Sequence, residues 1–299
     1  MKSIINEPAK SIPIAEDVDI CVLGGSCTGV FTAVRAARLG GKVAIVEKQN
    51  CFGGVATLGL VNVWHNLYDT EFQQQIISGL TEEVIERLET RGAVYKKPTS
   101  HESAYTLNTE ELKIELDSLI LESKVKPYLH SYYVAPYVEE GVLEAIIIEN
   151  KSGRQAIRAK VFIDATGDGD LCYQLGIDHY QAGNLQPPTP CAKLYQDEKM
   201  REFSFQRAIA QYGSEFDLRE DWGWGTFIPG LPNISFNAQT HVFDVNCADA
   251  NQLTYSEIEG RRQIRALVDM ARKYGAKNGT ISLVVLPASI GIRETRHFK

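Results

Sequence analysis

A chain of 299 residues can bury a full core and is long enough for two domains, or for one domain with a large insertion. Its hydrophobic content of 44% and charged content of 23% are those of a soluble globular protein, and a net charge of −7 with scattered lysines and arginines gives nucleic acid no foothold. No apolar run reaches the length that crosses a bilayer, residues 1–17 lack the apolar centre of a signal peptide, and the six cysteines show no C-x-x-C spacing suggestive of zinc or an iron–sulfur cluster; the expectation is a cytoplasmic protein without a metal or a membrane partner.

Residues 17–47 read as strand, glycine turn, helix and second strand. Val18, Ile20, Val22 and Leu23 form a β-rich run that stops at Gly24. A helical pattern begins at Gly29, with Val30, Ala33, Val34 and Ala37 on one face, and residues 43–46 form a buried run ending in Glu47. The spacing follows the dinucleotide-binding fingerprint, with Gly24 for the tight turn, Gly29 for close helix packing and Glu47 for the ribose hydroxyls; Gly25, Ser26, Cys27 and Thr28 lie between the glycines. Ser26 stands where the fingerprint has its second glycine. Its Cβ crowds the site, its hydroxyl offers a hydrogen bond to a phosphate oxygen, and Gly25 is the neighbour expected to relieve the crowding. Glu47 and Lys48 leave NAD and FAD both open, while an acid at this position disfavours NADP. Cys27, beside a helix N-terminus, is either a reactive thiol or a small residue filling the turn.

After Glu47 the chain is too rich in glycine for a regular element and too apolar for a solvated loop. Gly53 and Gly54 let backbone approach a ligand, and Thr57 offers a hydrogen bond. A long amphipathic helix is predicted over 71–91, irregular chain over 93–107, and a second helix opened by Asn108 with Glu111 as a capping box. Three strands follow, at 125–138 with a break near His130, 142–149 and 154–160, read as a β-meander inserted after the nucleotide unit. The run 161–170 is an apolar strand ending at Asp164 and Ala165, after which Thr166 and Gly167 turn the chain toward Asp168 and a short helix; strand ends of this kind face cofactors. Residues 180–253 suit a substrate-covering region, and the sequence leaves their topology unassigned. A helix capped by Thr254 and Glu257 runs to Tyr274, and a buried strand from 281 leads into GIRETR.

Three side chains are candidates for catalysis. Arg293 and Arg296 can hold a carboxylate in a bidentate fork, or pin a strand end through an ion pair with Glu294. His65 is either an acid–base group or an ordinary packed or surface histidine, and His241 is a weaker candidate of the same kind.

Four blocks, VLGGSCTGVFTAVRAARLGGKVAIVEK, CFGGVATLGLV, VFIDATGDGDL and LPASIGIRETR, together resemble the bacterial FAD-dependent oxidoreductases. These belong to the glutathione-reductase-type superfamily with two dinucleotide-binding motifs and are related to the flavin domains of heterodisulfide reductase and fumarate reductase. The resemblance implies an α/β fold: a Rossmann-like FAD-binding domain with an inserted β-meander over 1–180, a second α+β substrate domain over 181–280, and a return toward the first domain over 281–299. It implies FAD as cofactor, with residues 24–29 at the pyrophosphate, Glu47 at the adenosine ribose and Lys48 beside it. Gly53, Gly54, Val55, Ala56 and Thr57 would line the isoalloxazine side. Backbone near Val134 would meet the adenine, and Ala165, Thr166, Gly167 and Asp168 would close over the adenosine and pyrophosphate.

The implied reaction moves a hydride or electron pair between flavin N5 and a small organic substrate, expected to be anionic because of Arg293 and Arg296, with an external electron donor or acceptor as a further partner. The cysteine cluster of heterodisulfide reductase is absent. Two rival readings are an NAD-dependent dehydrogenase and a noncatalytic flavin-binding subunit. The family continues past the block matched by GIRETR, so the resemblance also implies a truncated chain whose isoalloxazine half-site is open to water. The oligomeric state is left open.

Overall fold

The computed structural model describes residues 4–97 and 105–299. Its first half is built on a six-stranded sheet. The elements in chain order are β1 (Ile14–Leu23), α1 (Cys27–Arg38), β2 (Val43–Val46), α2 (Leu80–Thr90), α3 (Thr109–Glu122), β3 (Lys126–Tyr128), β4 (Tyr132–Glu139), β5 (Val142–Asn150), β6 (Gly153–Asp164) and α4 (Asp170–Gln174). The strand order is β3-β2-β1-β6-β5-β4. The pairs β3–β2, β2–β1 and β1–β6 are parallel, whereas β6–β5 and β5–β4 are antiparallel. The expected α/β class with a Rossmann-like parallel core is therefore what the chain adopts. The meander is the antiparallel wing of that same sheet, and β6 runs unbroken into Asp164.

Burial explains the order. Every residue of β2 is buried, as a strand covered on both faces must be. Val22, Val43 and Ile45 face a core shared with α1, α2 and α3, while Cys21, Leu23, Ala44 and Val46 face a second core with Ile146, Ile148, Ile157 and Leu171.

Two sequence expectations shift at their edges. The helix expected over 71–91 spans only Leu80–Thr90, because Gly79 enters at φ 73° and the preceding residues turn on Asp69, whose carboxylate accepts the Gln73 amide at 2.9 Å. Of the stretch expected to be irregular, residues 94–96 and 105–107 are paired strands, and residues 98–104 lie outside the described residues. Asn108 does cap α3, accepting the Glu110 amide at 3.1 Å, and the break near His130 is a left-handed residue at φ 50°.

The second half carries β7 (Ala192–Gln196), α5 (Phe205–Tyr212), β8 (Trp224–Ile228), β9 (Leu231–Ala238), α6 (Ala250–Tyr274) and β10 (Ile281–Val285). The sheet order β8-β9-β7-β10 supplies the topology that the sequence left unassigned. Helices α5 and α6 pack an apolar core against Ala192, Leu194 and Ile281. The cap of α6 is Asp249, which accepts the Gln252 amide at 2.9 Å; Thr254 lies inside the helix and donates to the Ala250 carbonyl. Strand β10 is an edge strand with Leu283 and Val284 exposed, so the buried strand expected there is only half buried. Buried Lys193 joins the halves, its Nζ 2.9 Å from Thr109 Oγ1 and 2.7 Å from Glu110 Oε1 at the start of α3.

Candidate functional site

A cavity of about 240 Å³ opens at the C-terminal ends of β1, β2 and β6. Five segments wall it: Gly24 and Ser26; Glu47, Lys48 and Gln49; Gly54, Val55, Leu58 and Gly59; Ala165, Thr166, Gly167 and Asp168; and Ser289, Ile290 with residues 292–295. Backbone bonds lock the segments together. Gly24 N donates to Val46 O at 2.8 Å, Ala165 N to Leu23 O at 2.7 Å, Gly53 N to Gly25 O at 2.7 Å, and Ala288 N to Leu58 O at 2.9 Å.

The glycine turn works by what it lacks. A Cβ on Gly24, at φ 95°, would stand 2.3 Å from the Ala165 carbonyl oxygen, and one on Gly29 would stand 1.9 Å from the Gly24 carbonyl oxygen. The turn is thus pressed between β6 and α1 through its glycines, and the first-turn amides of α1, which have no acceptors within the helix, open there with the positive end of the helix dipole. Ser26 is the N-cap of α1, and its hydroxyl accepts the Gly29 amide at 3.2 Å. The hydroxyl expected to meet a phosphate is therefore engaged in capping. Gly25 does not make room for Ser26; its missing Cβ makes room for Phe52 and Glu47, at 2.6 and 2.9 Å. Gly54 makes that room, since a Cβ there would stand 3.1 Å from Ser26 Cβ.

Glu47 is buried at the end of β2. Its Oε2 accepts the Gly25 amide at 2.7 Å and its Oε1 the Gln49 amide at 2.8 Å, so one carboxylate ties the glycine turn to the loop after β2. On the opposite wall Asp164 organises the turn that follows β6. Its Oδ1 accepts from the amide and hydroxyl of Thr166 and its Oδ2 from the Cys172 amide, while Thr166 Oγ1 accepts the Asp170 amide. Asp168 faces the cavity half buried, its Oδ1 accepting from Thr295 Oγ1 at 2.9 Å, and burial raises its pKa above the ordinary carboxylate value.

Of the residues singled out from the sequence, Gly24, Ser26, Glu47, Lys48, Gly54, Val55, residues 165–168 and Arg293 meet at this cavity. Gly25, Cys27, Gly29, Gly53, Ala56 and Thr57 support it from behind. Thr57 is fully buried and donates to Phe52 O at 2.7 Å, so its hydroxyl serves the turn. Cys27 turns its thiol to Gly53 O at 3.6 Å, and burial pushes that thiol up to about 12, which makes it the small residue filling a turn. Thr28 is exposed on α1. Val134 lies at a bulge in the outer strand β4, its carbonyl accepting the Gln174 amide at 3.3 Å, away from the cavity lining. His65 is exposed and outside the lining as well.

The two arginines part company. Arg296 donates to Asp168 O at 2.9 Å and Asp170 Oδ1 at 3.2 Å, and its guanidinium lies 4.2 Å from the centre of the Tyr173 ring. It pins the end of the chain, though through Asp170 and not through Glu294, which instead accepts from the Gln186 amide and pairs with His297. Arg293 is exposed at the cavity and has no ion-pair partner among the described residues. Gln49, Leu58, Ile290 and Thr295 also line the cavity, and their only signal in the sequence is their place inside or beside the motif blocks. His241 is better placed than its sequence context suggests. It is buried, with Nδ1 3.0 Å from Asp221 Oδ1 and its own amide donating to Asp221 Oδ2 at 2.7 Å.

A parallel core, a glycine turn at a helix N-terminus and a buried carboxylate at the end of the second strand define a dinucleotide-binding α/β protein. The chain belongs to the FAD dependent oxidoreductase family, whose model matches residues 19–299. FAD is that family's cofactor, which decides between the two cofactors left open by Glu47. No curated protein matches the chain.

Among solved structures the fold is similar to three others. A geranylgeranyl bacteriochlorophyll reductase-like protein from Thermoplasma acidophilum is 15% identical, with a TM-score of 0.53 over 91% of this chain and 65% of the other. A myxobacterial chondrochloren halogenase, described as FAD-dependent, is 13% identical, with a TM-score of 0.58 over 93% and 64%. A p-nitrophenol 4-monooxygenase from Pseudomonas putida is 11% identical, with a TM-score of 0.53 over 94% and 68%. The chain thus spans just under two thirds of the length of the first two. Among the described residues no helix is long and apolar enough to cross a membrane.

The residues present fit FAD at this cavity on two grounds. The lining at Gly24 and Ser26 lies at the N-terminus of α1, where a pyrophosphate meets free amides and the positive end of a helix, and the buried Glu47 carboxylate stands at the rim, where an adenosine ribose needs an acceptor.

Proposed function

We infer that the chain forms the FAD-holding part of an oxidoreductase acting on a small organic anion. Arg293 carries this reading. It is a guanidinium at the wall of the cofactor cavity with no ion-pair partner among the described residues, while its neighbour Arg296 is bonded to Asp168 and Asp170. An unpaired guanidinium holds a carboxylate in a bidentate fork and stabilises negative charge that develops beside it. When bound, FAD supplies two-electron redox chemistry. The chain supplies position and dryness. Gly24 and the first-turn amides of α1 would hold the pyrophosphate, Glu47 would accept from the ribose, and Asp168 with Thr295 would fix the opposite wall. Val55, Leu58, Ile290 and Ile292 would keep water from the cavity.

The partners that go with this reading are a small-molecule substrate and an external electron donor or acceptor. A cytoplasmic setting agrees with six free cysteines. The visible spectrum of the purified protein tests the first half: flavin absorbance is expected, and its absence from protein purified with added FAD would remove the reading. Bleaching of that band by small carboxylates under anaerobic conditions tests the second half. A flavin band that no carboxylate bleaches, with or without Arg293, would favour the noncatalytic flavin-binding subunit.

A further inference from the structure

Strand β9 has one apolar face and one polar face. Ile234, Phe236 and Ala238 join an apolar cluster with Leu60 and Ile228. The alternate residues Ser235 and Asn237, continued by Gln239, turn to the other side next to Gln196 at the end of β7. These four side chains form one directed row. Gln239 Nε2 donates to Asn237 Oδ1 at 3.3 Å, Asn237 Nδ2 to Ser235 Oγ at 2.9 Å, and Ser235 Oγ to Gln196 Oε1 at 2.7 Å. The row lies in a groove of about 470 Å³ between the start of α5 and residues 223–226, across which Gln206 Nε2 donates to the Gly223 carbonyl. None of the residues lining this groove also lines the cofactor cavity.

Asn237 is 4% exposed and Gln239 6%, yet Gln239 Oε1 has no hydrogen-bond partner among the described residues. Turning that amide over would set its oxygen against Asn237 Oδ1, so the row itself fixes Oε1 as the free acceptor. A buried amide oxygen without a donor is unfavourable, and a hydroxyl entering the groove, from water or from a ligand, satisfies it. We propose that the groove binds a neutral polyhydroxylated ligand, a sugar or polyol, with one hydroxyl donating to Gln239 Oε1. Each hydroxyl both donates and accepts, which matches a row presenting one free acceptor at Gln239 and a spare N–H on each of Asn237 and Gln239. Charge argues against an ion. Arg201 is the one charged side chain among the described lining residues, and it stands exposed at the rim with Nη2 already donating to Asn233 Oδ1 at 2.7 Å. A carboxylate or ammonium entering the groove would lose its hydration without a buried countercharge. The half-buried Phe203 ring offers an apolar wall to the C–H face of a sugar.

The test titrates the flavin-loaded full chain with glucose, maltose and sorbitol at millimolar concentrations, following side-chain amide resonances by NMR, with acetate and ammonium as charged controls. At least one neutral probe is expected to shift the Gln239 amide while neither control does. Gln239→Leu removes the acceptor and should weaken that binding by about tenfold, with a lower melting temperature because Asn237 Oδ1 loses its donor. Should that variant fail to fold, Gln239→Met provides the second reading, because it removes the same acceptor with a side chain of similar length and should weaken the sugar likewise. No shift with any of the three probes, equal shifts with acetate or ammonium, or wild-type affinity in Gln239→Leu would each overturn the assignment.

Discussion

The glycine turn at 24–29, through Gly24 and Ser26, and the segment 289–298, through residues 289, 290 and 292–295, wall the same cavity from two sides, and they are made differently. The first wall is backbone: two glycines stand where any side chain would collide, and Glu47 bonds main-chain amides. The second wall is side chain. Thr295 holds Asp168, Arg296 holds the turn at Asp168 and Asp170, and residues 297–298 pair with 179–180 while His297 stacks on Tyr180 at 5.0 Å. A wall made of backbone tolerates no addition, so its variants should fail all or none. A wall made of side chains distributes its strength, so its variants should separate structural residues from functional ones.

The largest expected effect is on the backbone wall. Gly29→Val should cost about 3 kcal/mol in denaturant unfolding and abolish flavin absorbance, since its Cβ would fall on the Gly24 carbonyl. Normal flavin content in that variant would mean that the turn can relax, and the contrast between the walls would be lost. Glu47→Gln comes next. A carboxamide has one acceptor oxygen where the carboxylate serves the buried Gly25 amide and the half-buried Gln49 amide, so one of them is left unpaired; the flavin-free protein should lose about 1–3 kcal/mol, and FAD affinity should fall with it. Weakened FAD binding with unchanged stability would instead assign Glu47 to the ribose alone.

The side-chain wall should split. Arg296→Met removes two charge-assisted bonds and the contact with Tyr173, and it should cost about 2 kcal/mol of stability. Arg293→Met removes no bond within the chain; its melting temperature should stay within the change expected of about 0.5 kcal/mol, while reduction of the flavin by an anionic substrate slows. Equal stability losses at both positions would reduce Arg293 to a structural residue.

The same contrast sets what the sequence could reveal. Gly24, Gly29 and the acid at 47 are legible because backbone geometry restricts each of those places to very few residue types. Asn108 is legible as a cap for the same local reason. Arg293 and Arg296 are not separable, because their difference lies in Asp168, Asp170 and Tyr173, more than a hundred positions away. The pairing of His241 with Asp221 is hidden likewise, since no local spacing joins positions 221 and 241. Ser26 looks like a defect in the fingerprint until Gly54 is seen opposite it, a compensation between two motif blocks that neither block displays alone. The second sheet escapes because β8 and β9 are short strands among glycine and proline turns, and their polar alternation serves a groove instead of open solvent.

The smallest expected effect lies at Asp168, which the side-chain wall holds through Thr295 and Arg296. Burial raises its pKa, with Asp170 nearby adding to the rise and Thr295 opposing it, so folding favours the protonated form. The stabilising contribution of a carboxyl with a raised folded-state pKa is fully present below its unfolded pKa and is lost as pH rises through the folded value. At neutral pH the ionised Asp168 therefore weakens the flavin-free fold. Asp168→Asn keeps an oxygen that accepts from Thr295 Oγ1 and removes the charge, so it should raise stability at pH 7 by less than about 1 kcal/mol. That advantage should shrink as pH falls through the carboxylate range, where the wild-type group is protonated as well. Paired unfolding curves of the two flavin-free proteins at neutral and acid pH measure it. A destabilised Asp168→Asn at neutral pH would show that the carboxylate is held there by donors, and the side-chain wall would then be tied to the turn by charge more strongly than its single side-chain bond to Asp168, from Thr295, suggests.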